Sequence, residues 1–118
     1  MSKNILIIDD DPTLVKMVES FLTAHGYAVM SASGGEEGLE RIKAVRPDLI
    51  ILDILMPGMN GYTFVFEFKK IADTNTVPII VLTAKDGMAE IFKVEGVKEY
   101  LTKPFQPEVL LTKIKKYV

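Results

Sequence analysis

Apolar and polar positions along this chain follow two alternating rhythms. Residues 5–8, "ILII", form an unbroken apolar run that meets Asp9, Asp10 and Asp11. Residues 48–55, "DLIILDIL", and 77–83, "VPIIVLT", have the same continuous form. Such apolar runs, rich in branched residues, predict strands, buried at 5–8 and, for the most apolar run at 48–55, covered on both faces. Tyr27 to Ala32 predicts a second strand and residues 97–101 a brief last one. Between them, apolar positions recur at helical spacing. Leu14, Val18, Phe21 and Leu22 share one face of a helix with Asp11 as its cap, Pro12 at its first position and Gly26 just past its end. Ser33 starts a second helix whose inner face is Leu39, Ile42 and Val45, and Pro47 forbids its continuation. Further helices are expected over 62–72, around 88–95, and from about 107 to the end. Phe64, Phe66 and Phe68 alternate, which does not suit one helical face, so part of this set is expected at the surface.

Strands alternating with helices through short turns predict an α/β fold with an open, doubly wound five-stranded parallel sheet. Its expected order is the flavodoxin-like 2-1-3-4-5, with helices on both faces and right-handed crossovers. The 118 residues contain no repeat, low-complexity segment or linker, so residues 1–118 are expected to be one domain. A net charge of -2 gives no basic face for nucleic acid. With no cysteine, disulfides and thiolate metal sites are excluded. No apolar run approaches the roughly 20 residues of a membrane span, and "MSKNILIIDD" lacks a signal peptide's cleavage pattern. A cytoplasmic location is the expectation.

The candidate chemistry sits where the strands end. All strands of a parallel sheet end at one edge, and ligands bind there where strand order reverses. Strand one ends in Asp9, Asp10 and Asp11; strand three carries Asp53; strand four ends in Thr83 and Ala84; strand five runs into Lys103 and Pro104. Carboxylates, a hydroxyl and an ammonium from distant parts of the chain are therefore expected together. Carboxylates that close disfavour one another's ionised forms unless a cation sits among them. Such a set suits Mg2+, and an aspartate beside the metal can take a phosphoryl group as an aspartyl phosphate. Lys103 would pair with phosphoryl oxygens, Thr83 would donate a hydrogen bond to one, and Ala84 would leave room for the group.

The segments "ILIIDDDP", "DLIILDILMPGMNG", "VPIIVLTA" and "YLTKPF" resemble, in order and over essentially the whole chain, the signature segments of two-component response-regulator receiver domains. The resemblance implies that Asp53 is the phosphoacceptor. It implies that Asp9 and Asp10 hold Mg2+, with the backbone carbonyl of Leu55 as a further ligand, and that Lys103 contacts the phosphoryl group. Thr83 and Tyr100 become the switch pair, the ring turning inward behind the hydroxyl, and the Lys103–Pro104 bond is expected cis. The implied partners are a histidine kinase or histidine phosphotransfer protein upstream and an effector protein downstream, with the oligomeric state left open. Thr83 and Lys103 lie 20 positions apart, about two fewer than the family pattern, which draws attention to the helix expected near 88–95 and its signalling face. Leu55 and Lys85 stand where the family tunes dephosphorylation. Leu55 has no polar group to orient water, so slow self-hydrolysis is expected, and Leu55→Asn should speed loss of phosphate.

Singly, each residue has a plainer role. Asp11 reads as a helix cap, His25 as a structural residue at a helix C-terminus, and "KIKKY" at 113–117 as a solvated helix face. The leading expectation is a stand-alone receiver, not an enzyme beyond its own phosphorylation and dephosphorylation. Met1 directly before the first strand favours a natural start over a receiver cut from a larger protein, and a phosphorelay intermediate is equally compatible. The alternative of another class is a Mg-dependent haloacid-dehalogenase-like phosphohydrolase. There "IIDDDPT" would supply Asp9 as nucleophile and Asp11 as general acid.

Overall fold

The continuous apolar runs become the strands of one parallel sheet. The computed structural model describes residues 2–53, 61–71, 76–83 and 97–118. Within them run β1 (Asn4–Ile8), α1 (Pro12–Ala24), β2 (Ala28–Ala32), α2 (Gly35–Ala44), β3 (Leu49–Asp53), α3 (Gly61–Phe68), β4 (Ile79–Thr83), β5 (Val97–Thr102) and α4 (Pro107–Ile114). The strand order is β2-β1-β3-β4-β5 and every pairing is parallel, as expected. The helix expected at 88–95 lies outside the described residues.

Alternation along each strand splits the core into two layers. Ile5 and Ile7 of β1 join Leu49 and Ile51 of β3 and Ile80 and Leu82 of β4 against Val18 and Leu22 of α1 and Leu110 and Ile114 of α4. Leu6 and Ile8, with Ile50, Leu52, Ile79 and Val81, pack on the other side against Ile42 of α2 and Phe64 and Phe68 of α3. Covering both faces explains why β1, β3 and β4 read as unbroken apolar runs. Each such side chain contributes about 1.5–3 kcal/mol on burial. α2 approaches β1 closely at Gly38, where a Cβ would come within 2.6 Å of Ile8 Cδ1 and oblige that side chain to shift.

Local chemistry sets the ends of α1. The Asp11 side chain accepts from the amides of Thr13 at 3.0 Å and Leu14 at 3.3 Å. At the other end Gly26 adopts a φ of 93°, and the amides of Gly26 and Tyr27 donate to the carbonyls of Thr23 and Leu22. That pair of bonds is the glycine-dependent Schellman ending. His25 Nδ1 donates to the Phe21 carbonyl at 2.9 Å, the structural role expected of it.

Several boundaries differ from the expectation. α2 begins at Gly35, not Ser33. Ser33 stays outside, its amide and hydroxyl both donating to Glu37 Oε1 at 2.7 and 3.0 Å. These bonds, with Arg41 beside the carboxylate, hold the Glu37 carboxyl below its usual range. Val45, expected on the inner face, is 45% exposed. The helix has already ended there, with Val45 extended at φ −140°, so the helical face no longer extends to it. α3 stops at Phe68 and α4 at Ile114, each short of its expected end. Phe64 and Phe68, one turn apart, are fully buried with stacked rings, whereas Phe66 is 65% exposed with Lys70 Nζ 4.6 Å from its ring centre. No helix among the described residues is long and apolar enough to cross a membrane.

A candidate phosphoacceptor pocket at the carboxyl edge of the sheet

The strand ends bring the expected groups together. Asp9 follows β1 directly and is 1% exposed, while Asp53 closes β3 and Thr83 closes β4, both buried. Asp9 is held from three sides. Its amide donates to the Ala32 carbonyl at 3.1 Å, and its Oδ1 accepts from the Asp11 amide at 3.0 Å. Its Oδ2 accepts from Lys103 Nζ at 2.8 Å. The same ammonium stands 3.6 Å from Asp53 Oδ2. The Lys103 amide donates to the Thr83 carbonyl at 2.7 Å, so β4 fixes where this lysine leaves the sheet. The Lys103–Pro104 peptide is cis.

Asp10 is exposed, yet one carboxylate oxygen from each of Asp9, Asp10 and Asp53 lies within 4.8 Å of the others. Two of these three carboxylates, those of Asp9 and Asp53, face the Lys103 ammonium. Burial alone would lower the Lys103 pKa. The hydrogen bond and charge of Asp9, reinforced by Asp53, outweigh it and raise Lys103 above the ordinary lysine value of 10.5. Among the described residues, these three acids carry more charge than that one cation offsets. The donors are all oxygens, the set that a hard divalent cation takes. A groove of about 510 Å³ opens from Asp9 and Asp10 between α1 and α2, past Lys16, Ser33 and Arg41.

Asp9, Asp10, Asp53, Thr83 and Lys103 are thus gathered at one edge. Leu55, expected as a carbonyl ligand, and Ala84 and Lys85 lie outside the described residues. Tyr100 is on β5 opposite Val81, 38% exposed. Asp11, the acid of the phosphohydrolase alternative, caps α1 through its Oδ1, which accepts from the amides of Thr13 and Leu14. A second cluster had no signal in the sequence reading. Glu99 of β5 gathers Lys113, Lys116 and Tyr117, so "KIKKY" is not simply a solvated face. Burial would raise the Glu99 carboxyl, but the Tyr117 hydroxyl and the two lysines bring it below its usual range. Tyr117 is correspondingly raised, by burial and by that carboxylate.

The doubly wound parallel sheet carries these acids and the lysine at the edge where its strand order reverses. The chain belongs to the response regulator receiver domain family, whose model matches residues 5–115. It is 38% identical over 112 residues to protein PilH of Pseudomonas aeruginosa, covering 93% of each chain. It is also 36% identical to the alkaline phosphatase synthesis transcriptional regulatory protein PhoP of Bacillus subtilis, but spans only 48% of that protein. Among solved structures, the chemotaxis protein CheY4 of Vibrio cholerae superposes with a TM-score of 0.93 at 32% identity, over 100% of both chains. Response regulator TrrA of Thermotoga maritima, solved in complex with Mg2+–BeF, superposes with a TM-score of 0.86 at 34% identity, over 98% of this chain and 99% of that one.

Proposed function

We propose that residues 1–118 act as a single, stand-alone cytoplasmic receiver that accepts a phosphoryl group on Asp53 and signals by binding another protein. The observation that carries this reading is Lys103 Nζ, 2.8 Å from Asp9 and 3.6 Å from Asp53. The lysine joins the acid at the end of β1 to the acid at the end of β3, across the point where strand order reverses. Both PilH and CheY4 are matched along nearly their full length, which supports the stand-alone form.

The donor is a phosphohistidine of a kinase or phosphotransfer protein. A carboxylate oxygen of Asp53 attacks phosphorus, the P–N bond breaks, the imidazole leaves with the electron pair, and an acyl phosphate remains on Asp53. Asp9, Asp10 and Asp53 would hold Mg2+, a reading supported by their shared oxygen set and by the Mg2+–BeF complex of TrrA. The ion supplies charge neutralisation for the phosphoryl oxygens. Lys103 exchanges its contact with Asp53 for a phosphoryl oxygen while keeping Asp9 as its anchor. Thr83 donates to a second oxygen, and Tyr100 turns inward behind it. The protein catalyses its own phosphorylation and dephosphorylation and no other turnover.

Acetyl phosphate labelling with and without Mg2+, followed by peptide mass spectrometry, tests the assignment. Mg-dependent label on Asp53 is the expected result. Label on Asp9 with turnover of a phosphate ester would make the chain a hydrolase, and no label would leave an inert interaction module.

A further inference from the structure

Among the described residues β5 is an edge strand, paired with β4 alone. That pairing slips at its start: Ile79 faces Val97 but Ile80 faces Glu99, so Lys98 falls between registers. A bulge of this kind locally disrupts the ladder and bends its strand. Backbone pairing alone therefore fixes this part of β5 weakly.

The Glu99 side chain supplies a second hold. Its Oε1 accepts from Lys113 Nζ at 3.2 Å. Its Oε2 accepts from Tyr117 Oη at 2.9 Å and lies 3.5 Å from Lys116 Nζ. Lys113 is on α4, and Lys116 and Tyr117 are in the turn after it. That turn is closed by the Lys116 amide on the Lys113 carbonyl and the Tyr117 amide on the Ile114 carbonyl, with Ile114 fully buried. Glu99 is thus tied to a part of the molecule that the core already fixes. The Glu99 and Lys113 side chains are only 18% and 24% exposed, which makes their charge-assisted bond stronger than a surface pair.

The next residue is Tyr100. Neighbouring residues of a strand point to opposite faces but share one backbone. Fixing Glu99 therefore fixes the direction in which the Tyr100 side chain leaves the strand. The geometry points to Glu99 as a latch, a positioning residue that ties β5 to the end of α4 and holds Tyr100 in its half-exposed resting position. The inward movement of that ring works against the latch. This inference rests on the reading of Thr83 and Tyr100 as the switch pair. A receiver whose competent state is a minor one binds its activating ligand more weakly in proportion, so releasing the latch raises apparent affinity.

The test is 19F NMR of protein carrying 3-fluorotyrosine, with the Tyr100 signal assigned by Tyr100→Phe. Wild type, Glu99→Ala and Tyr117→Phe are titrated with beryllofluoride at saturating Mg2+. In wild type the Tyr100 signal should move on ligand addition. In Glu99→Ala without ligand it should already lie part-way to that position, and beryllofluoride should bind about three- to tenfold more tightly. Tyr117→Phe should give a smaller shift of the same sign, as should about 0.5 M salt on wild type. If the wild-type signal responds while both variants keep the wild-type resting signal and affinity, Glu99 is structural only and the latch is overturned. A wild-type Tyr100 signal that stays still while Asp53 takes Mg-dependent label would overturn the latch and the switch pair but leave the phosphoacceptor reading standing.

Discussion

The molecule holds two partly buried charge clusters with opposite balances. At the carboxyl edge, among the described residues, three carboxylates lie together and two of them, Asp9 and Asp53, pair with Lys103. At the outer edge of β5, one carboxylate, Glu99, takes two ammonium groups and a hydroxyl. The second cluster is closed, because every oxygen of Glu99 has a donor and no acid is left over. The first is open, because an excess of negative charge faces a solvent-accessible groove. Similar side chains therefore do different work. A closed cluster holds two elements together, whereas an acid-rich one offers oxygen ligands that suit a divalent cation.

The sharpest way to break the open cluster is Asp53→Asn, which should reduce acetyl phosphate labelling to background while the fold, followed by circular dichroism, remains. Lys103→Met comes next. It leaves the buried Asp9 carboxylate without its 2.8 Å partner, at a cost of about 1–3 kcal/mol in thermal or denaturant unfolding. If the acids form a cation site, part of that loss should return when Mg2+ is added. Loss that is indifferent to Mg2+ would contradict the open-cluster view. Asp10→Asn should act in the opposite direction, since removing one of three crowded charges relieves repulsion. A gain of up to about 1 kcal/mol without Mg2+, and weaker Mg2+ binding, would sharpen the contrast.

The smallest effects lie in the pH dependence, and the two clusters should differ in sign. Lys103 is raised above 10.5, so its contribution is complete at neutral pH and fades as pH rises through its raised pKa. Glu99 is lowered from 4.5, so its contribution is present above that value and fades as pH falls through its lowered pKa. Glu99→Gln should flatten the acid limb of the stability curve by about 0.5 kcal/mol, and Lys103→Met should flatten the alkaline limb. Denaturant midpoints across pH separate the two.

Much of this was legible in the sequence, for identifiable reasons. A parallel sheet covered on both sides demands continuous apolar strands, and "LIIL" and "IIVL" meet that demand without ambiguity. Once those strands were set, Asp9, Asp53, Thr83 and Lys103 had to meet, because parallel strands all end at one edge. Element ends were less legible. Ser33 looked like a helix start, but it uses Glu37 as a partner from outside the helix. Val45 had the right spacing for the inner face but falls after the last helical residue. The Glu99 cluster was invisible, because nothing in local periodicity couples a strand residue to lysines 14 and 17 positions later.

The bond from Lys103 to Asp9 spans 94 positions of the chain. A chain emerging from the ribosome completes β1 and β3 long before β5, so it carries the acids before their counter-charge. The charge cluster at the carboxyl edge is thus completed last, together with β5.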